Sequence, residues 1–265
     1  MGTFRKLSLA VAGLALTAST SLAADLIPPP VYAPPEVIPP MAGGWYLRGD
    51  IGMSNQQLHG GLENELFDDE FTSVTFLDEG TFSSAPTFQV GVGYQFNEWL
   101  RTDFTAQYRG KADFSALDRY VYDDGINPVE EGSNDYSGKK SEWLLMANAF
   151  VDLGTYSGIT PYVGGGLGAS RNTISSFRDV NVPNGGVAYG DQHSEWNFAW
   201  ALHAGLGVQI NERLTLDLGY SYLHLGDAQS GDLKTYDGTN DIDNPMIFND
   251  LTSHDFKFGL RYAFN

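Results

Sequence analysis

Hydrophobic and polar side chains alternate strictly in the last segment of the chain, residues 254–264. In an extended strand, successive side chains point to opposite faces. One face of this segment is therefore apolar and aromatic, and the other carries charged and small residues. The apolar face consists of Phe256, Phe258, Leu260, Tyr262 and Phe264. Strands of soluble sandwiches also alternate, but a terminal ladder this aromatic favours a closed membrane barrel with its apolar face in lipid.

The same period of two recurs in seven earlier segments. The predicted strands are 45–53, 86–96, 99–110, 141–153, 159–171, 196–210 and 214–225. Short turns at 97–98, 154–158 and 211–213 alternate with long polar connections at 54–82, 111–140, 172–194 and 226–252. Closure of a barrel removes the sheet edges that lipid cannot satisfy, and bacterial barrels join their strands by short periplasmic turns and longer extracellular loops. The sequence therefore predicts an all-β fold, an eight-stranded antiparallel up-and-down transmembrane barrel with both termini in the periplasm.

The first 42 residues have a different character. Arg5 and Lys6 precede an apolar run at 7–18, and Ser21 and Ala23 occupy the positions that a signal peptidase reads. This pattern predicts a signal peptide at 1–23 and export from the cytoplasm. The Pro-rich segment 24–42 predicts an extended periplasmic tether, either a spacer or an arm that contacts a partner. The barrel domain is expected at 43–265.

Composition excludes several classes of function. The formal net charge of -18 argues against a nucleic-acid partner, which requires a basic patch. The absence of cysteine excludes disulfides, thiol catalysis and cysteine-ligated metals. After the N-terminal segment, no apolar run reaches the length of about 18 residues that a membrane helix needs. Any membrane-spanning segment must therefore be a strand.

Charged side chains recur on the face opposite the apolar one. The inward charges are Arg48, Asp50, Arg101, Asp103, Arg109, Asp152, Asp217, Asp255, Lys257 and Arg261. An eight-stranded barrel is only wide enough to be filled by its own side chains. These residues therefore predict a structural network of ion pairs that plugs the barrel, and a charged pore lining is the alternative.

Few residues elsewhere in the chain are candidates for a catalytic or metal-binding site. Ser253, His254 and Asp255 resemble a nucleophile and base only by adjacency in sequence, which is weak because such partners meet in space. A metal site at Asp191, His193 and Glu195 is less favoured than a solvated strand start. The sequence therefore predicts no catalytic, cofactor or metal site. The long connections are acidic, and carboxylate oxygens predict weak association of magnesium or calcium there.

Several motifs resemble one family over essentially the whole chain. They are the opening Gly44-Trp45-Tyr46-Leu47-Arg48-Gly49, the Thr160-Pro161-Tyr162-Val163-Gly164-Gly165-Gly166 and Leu216-Asp217-Leu218-Gly219-Tyr220 strands, and the closing aromatic ladder. Together with the signal peptide and tether, they resemble the small opacity-protein-like outer-membrane proteins of alphaproteobacteria, which have an OmpA-type barrel.

This resemblance implies a location in the outer membrane of a Gram-negative cell, in contact with outer-membrane lipid and lipopolysaccharide. It implies a structural and surface-interaction role in envelope integrity and in contact with host or environment. It also implies that the barrel assembly machinery reads the terminal aromatic ladder, which ends at Phe264. A narrow porin-like channel is the alternative function, and a hydrolase at the barrel rim is a weaker one.

Overall fold

Strands make up most of the computed structural model, which describes residues 43–68, 71–183, 185–235, 237–238 and 244–264. The predicted signal peptide, the predicted tether and Asn265 lie outside these residues. No helix in the described ranges has the length and apolar content needed to cross a membrane.

Twelve strands follow one another along the described chain. They are β1 (Gly44–Glu63), β2 (Thr72–Phe82), β3 (Ala85–Gln95), β4 (Leu100–Tyr122), β5 (Glu130–Gly132), β6 (Asn134–Asp152), β7 (Ile159–Asn181), β8 (Val187–Gly190), β9 (His193–Gln209), β10 (Leu214–Gln229), β11 (Leu233–Thr235) and β12 (Ile247–Ala263). A short 3-10 helix, Glu65–Asp68, follows β1.

Eight of these strands close into a ring. Its order is β1, β3, β4, β6, β7, β9, β10 and β12, with β12 returning to β1, and every neighbouring pair is antiparallel. The remaining strands lie outside the ring: β2 and β5 pair with β4, β8 pairs with β7, and β11 pairs with β8. The predicted eight-stranded antiparallel barrel is confirmed, and four further strands extend it.

The half of the barrel near the short turns carries its apolar side chains on the outside. This apolar belt comprises the outward side chains of 45–53, 86–96, 100–108, 143–153, 159–169, 196–210, 214–222 and 256–264. Val90, Phe198 and Phe256 are each about two-thirds exposed. The facing predicted from the period of two holds along these segments, because the charged positions between them point into the lumen. Seven of these eight segments are 9–11 residues long, which matches the thickness of a bilayer, and 196–210 is longer.

The ring strands continue well past the apolar belt. β4 and β7 each contain 23 residues, which corresponds to about 75 Å at roughly 3.3 Å per residue. The four long connections predicted as polar loops are therefore largely strand. We call this projecting part of the barrel the wall.

In the wall, polar and apolar side chains exchange faces, which explains why its sequence resembles that of polar loops. In the belt part of β4, inward side chains such as Arg101 and Arg109 are polar. An irregularity in pairing lies between Arg109 and Ala112, and beyond it Ala112 and Phe114 face inward while Asp113 faces outward. Strand periodicity persists, but the inside becomes apolar and the outside polar, as in a soluble protein.

The inside of the wall is packed with aromatic rings. Phe248 is fully buried, and its ring centroid lies 4.9 Å from that of Phe114, 5.9 Å from Phe177 and 6.1 Å from Phe82. Leu223, Leu225 and Leu251 are buried in the same cluster. Burial of this much apolar surface stabilises the wall as a folded extension of the barrel rather than a set of separate loops.

Candidate functional site

The lumen inside the apolar belt contains paired charges. Arg48 donates to Asp50 at 2.8 Å and to Asp103 at 2.9 Å, and these three side chains are at most 7% exposed. Asp50 also accepts from Gln89 at 2.8 Å, and Asp103 accepts from Asn148 at 2.8 Å. Neighbouring strands therefore place each carboxylate against several donors, which satisfies its buried oxygens.

Two further pairs lie nearer the short turns. Arg101 Nε is 3.1 Å from Asp152 Oδ1, and Arg261 Nε is 2.5 Å from Asp217 Oδ2. The Arg101 guanidinium also lies 4.2 Å from the ring centroid of Phe150, a favourable cation–π arrangement. Seven of the ten inward charges that the sequence predicts as a network are thus in ion pairs in this part of the lumen.

Lys257, another of the ten predicted network residues, is placed differently. Its Nζ lies 3.3 Å from Gln89 Oε1, so it donates a hydrogen bond to an amide. It makes no ion pair with a residue of the described ranges.

A second charged layer crosses the lumen where the belt meets the wall. Arg109 contacts Glu142 and Asp255, with 2.5 Å to Asp255, and Lys140 contacts Glu142. These four side chains are fully buried. Lys140 also donates to Gln56 at 2.9 Å, and Arg109 donates to Ser253 at 2.7 Å. We call Arg109, Lys140, Glu142 and Asp255 the buried charge layer.

Sequence reasoning identifies only part of this layer. Arg109 and Asp255 are recognised as inward charges, but Lys140 falls in a predicted loop and Glu142 at the very start of a predicted strand. The sequence does contain a sign of their placement. Lys140, Glu142, Leu144 and Met146 are all even-numbered positions of β6, so their side chains point to the same, inner face of the strand.

An open cavity of about 610 Å³ lies inside the outer end of the wall. Aromatic, amide and acidic side chains line this outer cavity, including Asp118, Tyr120, Asn134, Tyr136, Asp179 and Asn181. Asp118 is fully buried and accepts hydrogen bonds of 2.7 Å from the Tyr136 hydroxyl and from the Asn134 backbone. None of the described lining residues is Lys, Arg or His. The outer cavity therefore offers hydrogen-bond acceptors and negative charge to a ligand.

Asp179 titrates abnormally in the outer cavity, well beyond the apolar belt. Burial, with a smaller contribution from the charge of Asp118, raises the pKa of Asp179 from 3.8 to about 7. Its Oδ1 atom is buried and has no hydrogen-bond partner in the described part of the chain. A carboxyl group whose pKa is raised on folding stabilises the protein below its unfolded pKa, and this contribution is lost as the pH rises through the folded pKa.

We therefore expect Asp179→Asn to flatten part of the pH dependence of stability. Between pH 3.8 and about 7, the midpoint of thermal unfolding of the wild type should fall relative to that of the variant. The measurement is thermal unfolding in non-ionic detergent from pH 4 to pH 9. Asp135→Asn, at an exposed position of β6, is the matched control. Parallel curves for the wild type and Asp179→Asn would contradict the assignment.

The residues considered as a possible hydrolytic site do not come together in the structure. Ser253 faces the lumen and donates to Asp255 at 2.7 Å, whereas His254 faces outward and contacts the Tyr220 hydroxyl at 2.7 Å. A nucleophile and its base must lie within hydrogen-bond reach, so Ser253 and His254 do not form such a pair. In the described ranges, no group of three or more His, Asp or Glu side chains is arranged to hold a metal ion. Weak cation association at the acidic connections stays a prediction.

Comparisons with known proteins agree with this architecture. Residues 39–264 match the family described as "Outer membrane protein beta-barrel domain". An uncharacterized protein of Brucella suis biovar 1 (strain 1330) is 34% identical, over 96% of both chains. A "Putative adhesin" of Rickettsia bellii (strain RML369-C) is 25% identical, over 82% of this chain and 87% of the relative. Outer membrane protein PagN of Salmonella typhimurium (strain LT2) is 24% identical, over 83% of this chain and 90% of the relative. The chain therefore belongs to the outer membrane protein beta-barrel domain family and is a β-barrel of the outer membrane.

Proposed function

We propose that this protein is a structural and surface-interaction protein, which contributes to envelope integrity and to contact with host or environment. The observation that carries the proposal is the wall, which ends in the outer cavity. Barrels of this class place their short turns in the periplasm, so the wall projects outside the cell. A packed wall holds the cavity in a fixed shape, which lowers the entropy cost of binding. The name given to the Rickettsia relative supports a role in adhesion.

The acidity of the outer cavity favours a partner with exposed basic groups. Asp118 and Glu130 contribute carboxylates, Asp179 contributes a carboxyl group with a pKa of about 7, and Tyr120 and Tyr122 contribute aromatic faces. Aromatic faces attract cations, and ionised acceptors form the stronger hydrogen bonds. Lysine and arginine side chains of a surface protein match both features.

Adhesion of intact cells tests this proposal. We compare a strain lacking the protein with strains that display the wild type, Val187→Trp or Val182→Trp, using retention on epithelial cell monolayers. Val187 lines the outer cavity, whereas Val182 is 57% exposed and is not part of its lining. Val187→Trp should fill the cavity and lower retention towards that of the deletion strain, and Val182→Trp should retain wild-type adhesion. Equal retention of the deletion strain and the wild type would refute the proposal.

The same proposal includes a lumen closed to solutes. Support comes from the buried charge layer and from cavities of only about 20 and 40 Å³ among the paired charges, each large enough for little more than a water molecule. Purified, folded protein in planar bilayers should be silent under voltage. Steady, reproducible openings would favour the rival channel function.

We also propose that the barrel assembly machinery recognises the outward ladder of β12 and its end. All five side chains of the ladder face outward, with exposures between 44% at Tyr262 and 65% at Phe256. Phe264→Ala should slow the appearance of heat-modifiable, membrane-inserted protein in cells without changing the stability of protein already folded. Phe96→Ala, at a 53% exposed position immediately after β3, is the control. Equal insertion rates for these two variants would remove the assembly role of Phe264.

A further inference from the structure

The upper edge of the apolar belt carries outward aromatic rings on neighbouring strands. Trp143 on β6 and Trp196 on β9 are 49% and 57% exposed, and the Trp143 ring lies 5.1 Å from that of Tyr108 on β4. Tryptophan and tyrosine concentrate at the boundary between hydrocarbon and headgroups. These rings therefore mark the depth of the outer-leaflet headgroups.

Arg171 lies within this aromatic row. On β7 it pairs with Trp143 on one side and with Trp196 on the other, and its side chain is exposed. Its guanidinium therefore lies at headgroup depth with a tryptophan on each neighbouring strand. No carboxylate of the described ranges forms an ion pair with it.

Lys111 adds a second cation on the same sector of the barrel. It lies in the irregular segment of β4 between Arg109 and Ala112, just above the aromatic row, and it is exposed. β4 and β7 are separated only by β6, and Lys111 lies about two residue positions above the level of Arg171, so the two backbones lie roughly 12 Å apart. Lys111 also makes no ion pair with a described residue, whereas the nearby carboxylate of Asp113 is already bound by Lys139.

We propose that Lys111 and Arg171 bind the phosphate groups of lipid A, the phosphorylated glycolipid anchor of lipopolysaccharide in the outer leaflet. Charge complementarity identifies this occupant: a chain with a net charge of -18 places two cations, neither of them paired with a carboxylate of the described ranges, at the depth of anionic headgroups. A guanidinium binds phosphate through two parallel hydrogen bonds, and the lysine ammonium adds a point charge. This site faces the membrane and is separate from the outer cavity.

The test measures lipid binding by the folded full-length barrel. Native mass spectrometry in non-ionic detergent compares lipid A that carries both phosphates with its dephosphorylated form. The variants are the double substitution Lys111→Gln/Arg171→Gln and a control, Arg178→Gln/Arg213→Gln, which removes the same charge at two exposed positions outside the aromatic row. A conservative variant, Lys111→Arg/Arg171→Lys, keeps both charges.

The wild type should prefer the phosphorylated lipid, and Lys111→Gln/Arg171→Gln should lose about tenfold or more in affinity for it, because two charge-assisted contacts to phosphate are removed. The control should bind like the wild type, and the conservative variant, which keeps both charges, should retain the preference for the phosphorylated lipid. Should the double variant fail to fold, the single variants Lys111→Gln and Arg171→Gln should each lose part of the affinity. The proposal is overturned by a wild type that ignores the phosphates, or by equal losses in the double variant and the control.

Discussion

Replacing Glu142 by glutamine is expected to lower the free energy of unfolding by about 3–5 kcal/mol, the usual effect of breaking a buried ion pair by removing one partner. Glu142 contacts both Arg109 and Lys140, and all three side chains are fully buried. When Glu142 loses its charge, Asp255 is the carboxylate that remains in the buried charge layer. Two buried cations would then share one counter-charge, and a glutamine amide cannot compensate for the other.

The measurement is urea unfolding of the purified barrel in detergent, followed by heat modifiability and far-ultraviolet circular dichroism. Glu131→Gln is the matched control, because Glu131 pairs with Arg119 at 2.7 Å but both side chains are more than half exposed. An exposed pair contributes less than about 1 kcal/mol, so the control should stay near the wild type. Equal stability of Glu142→Gln and the wild type would show that the buried charge layer is not a structural plug.

The belt half of the barrel could be predicted from sequence because one physical rule applies throughout it. Lipid requires apolar outward positions, and a lumen filled by side chains accepts polar inward ones. Phe88 and Phe104 face lipid, and Thr87 and Asp103 face the lumen, as the alternation requires. The short turns then fix three of the neighbouring pairs, β3–β4, β6–β7 and β9–β10, because such a turn can join only adjacent antiparallel strands.

The wall could not be predicted by the same rule, because water replaces lipid outside it. Phe114, Phe177 and Phe248 stand in segments rich in Asp, Asn and Ser, so their alternation resembles a polar loop. The outer cavity depends on this hidden packing. Asp118 and Asp179 are 61 positions apart in the chain and meet only because β6 lies between β4 and β7.

Close contacts inside the lumen also cannot be predicted from the alternation of side chains. Period two alone predicts that inward Gly259 tolerates serine. In the structure, a Cβ atom at Gly259 would lie 2.1 Å from Asp50 Oδ1, in the carboxylate that Arg48 and Gln89 hold in place. Gly259→Ser would therefore disturb the ion-pair network, although the alternation by itself allows a polar side chain at this inward position. The glycine is needed because the neighbouring strand fills this space.

The facing of β12 is tested better by two outward leucines at different depths. Leu260 is 46% exposed near the middle of the apolar belt, and Leu153 is 51% exposed at its short-turn edge. Arginine near the midplane of a bilayer costs about 2–4 kcal/mol, and near the interface about 0–1 kcal/mol. Leu260→Arg should therefore reduce the stability of the barrel in lipid vesicles far more than Leu153→Arg does.

Both variants introduce the same side chain on the same face, so lost leucine contacts and added charge are matched and depth is the main difference. Folding into vesicles, followed by heat modifiability and by urea unfolding, gives the free-energy difference between them. In detergent micelles, which deform around a charge, the difference should shrink. A Leu260→Arg barrel as stable in vesicles as Leu153→Arg would place residue 260 away from the hydrocarbon, and the belt that aligns β12 with its neighbours would then be assigned to the wrong depth.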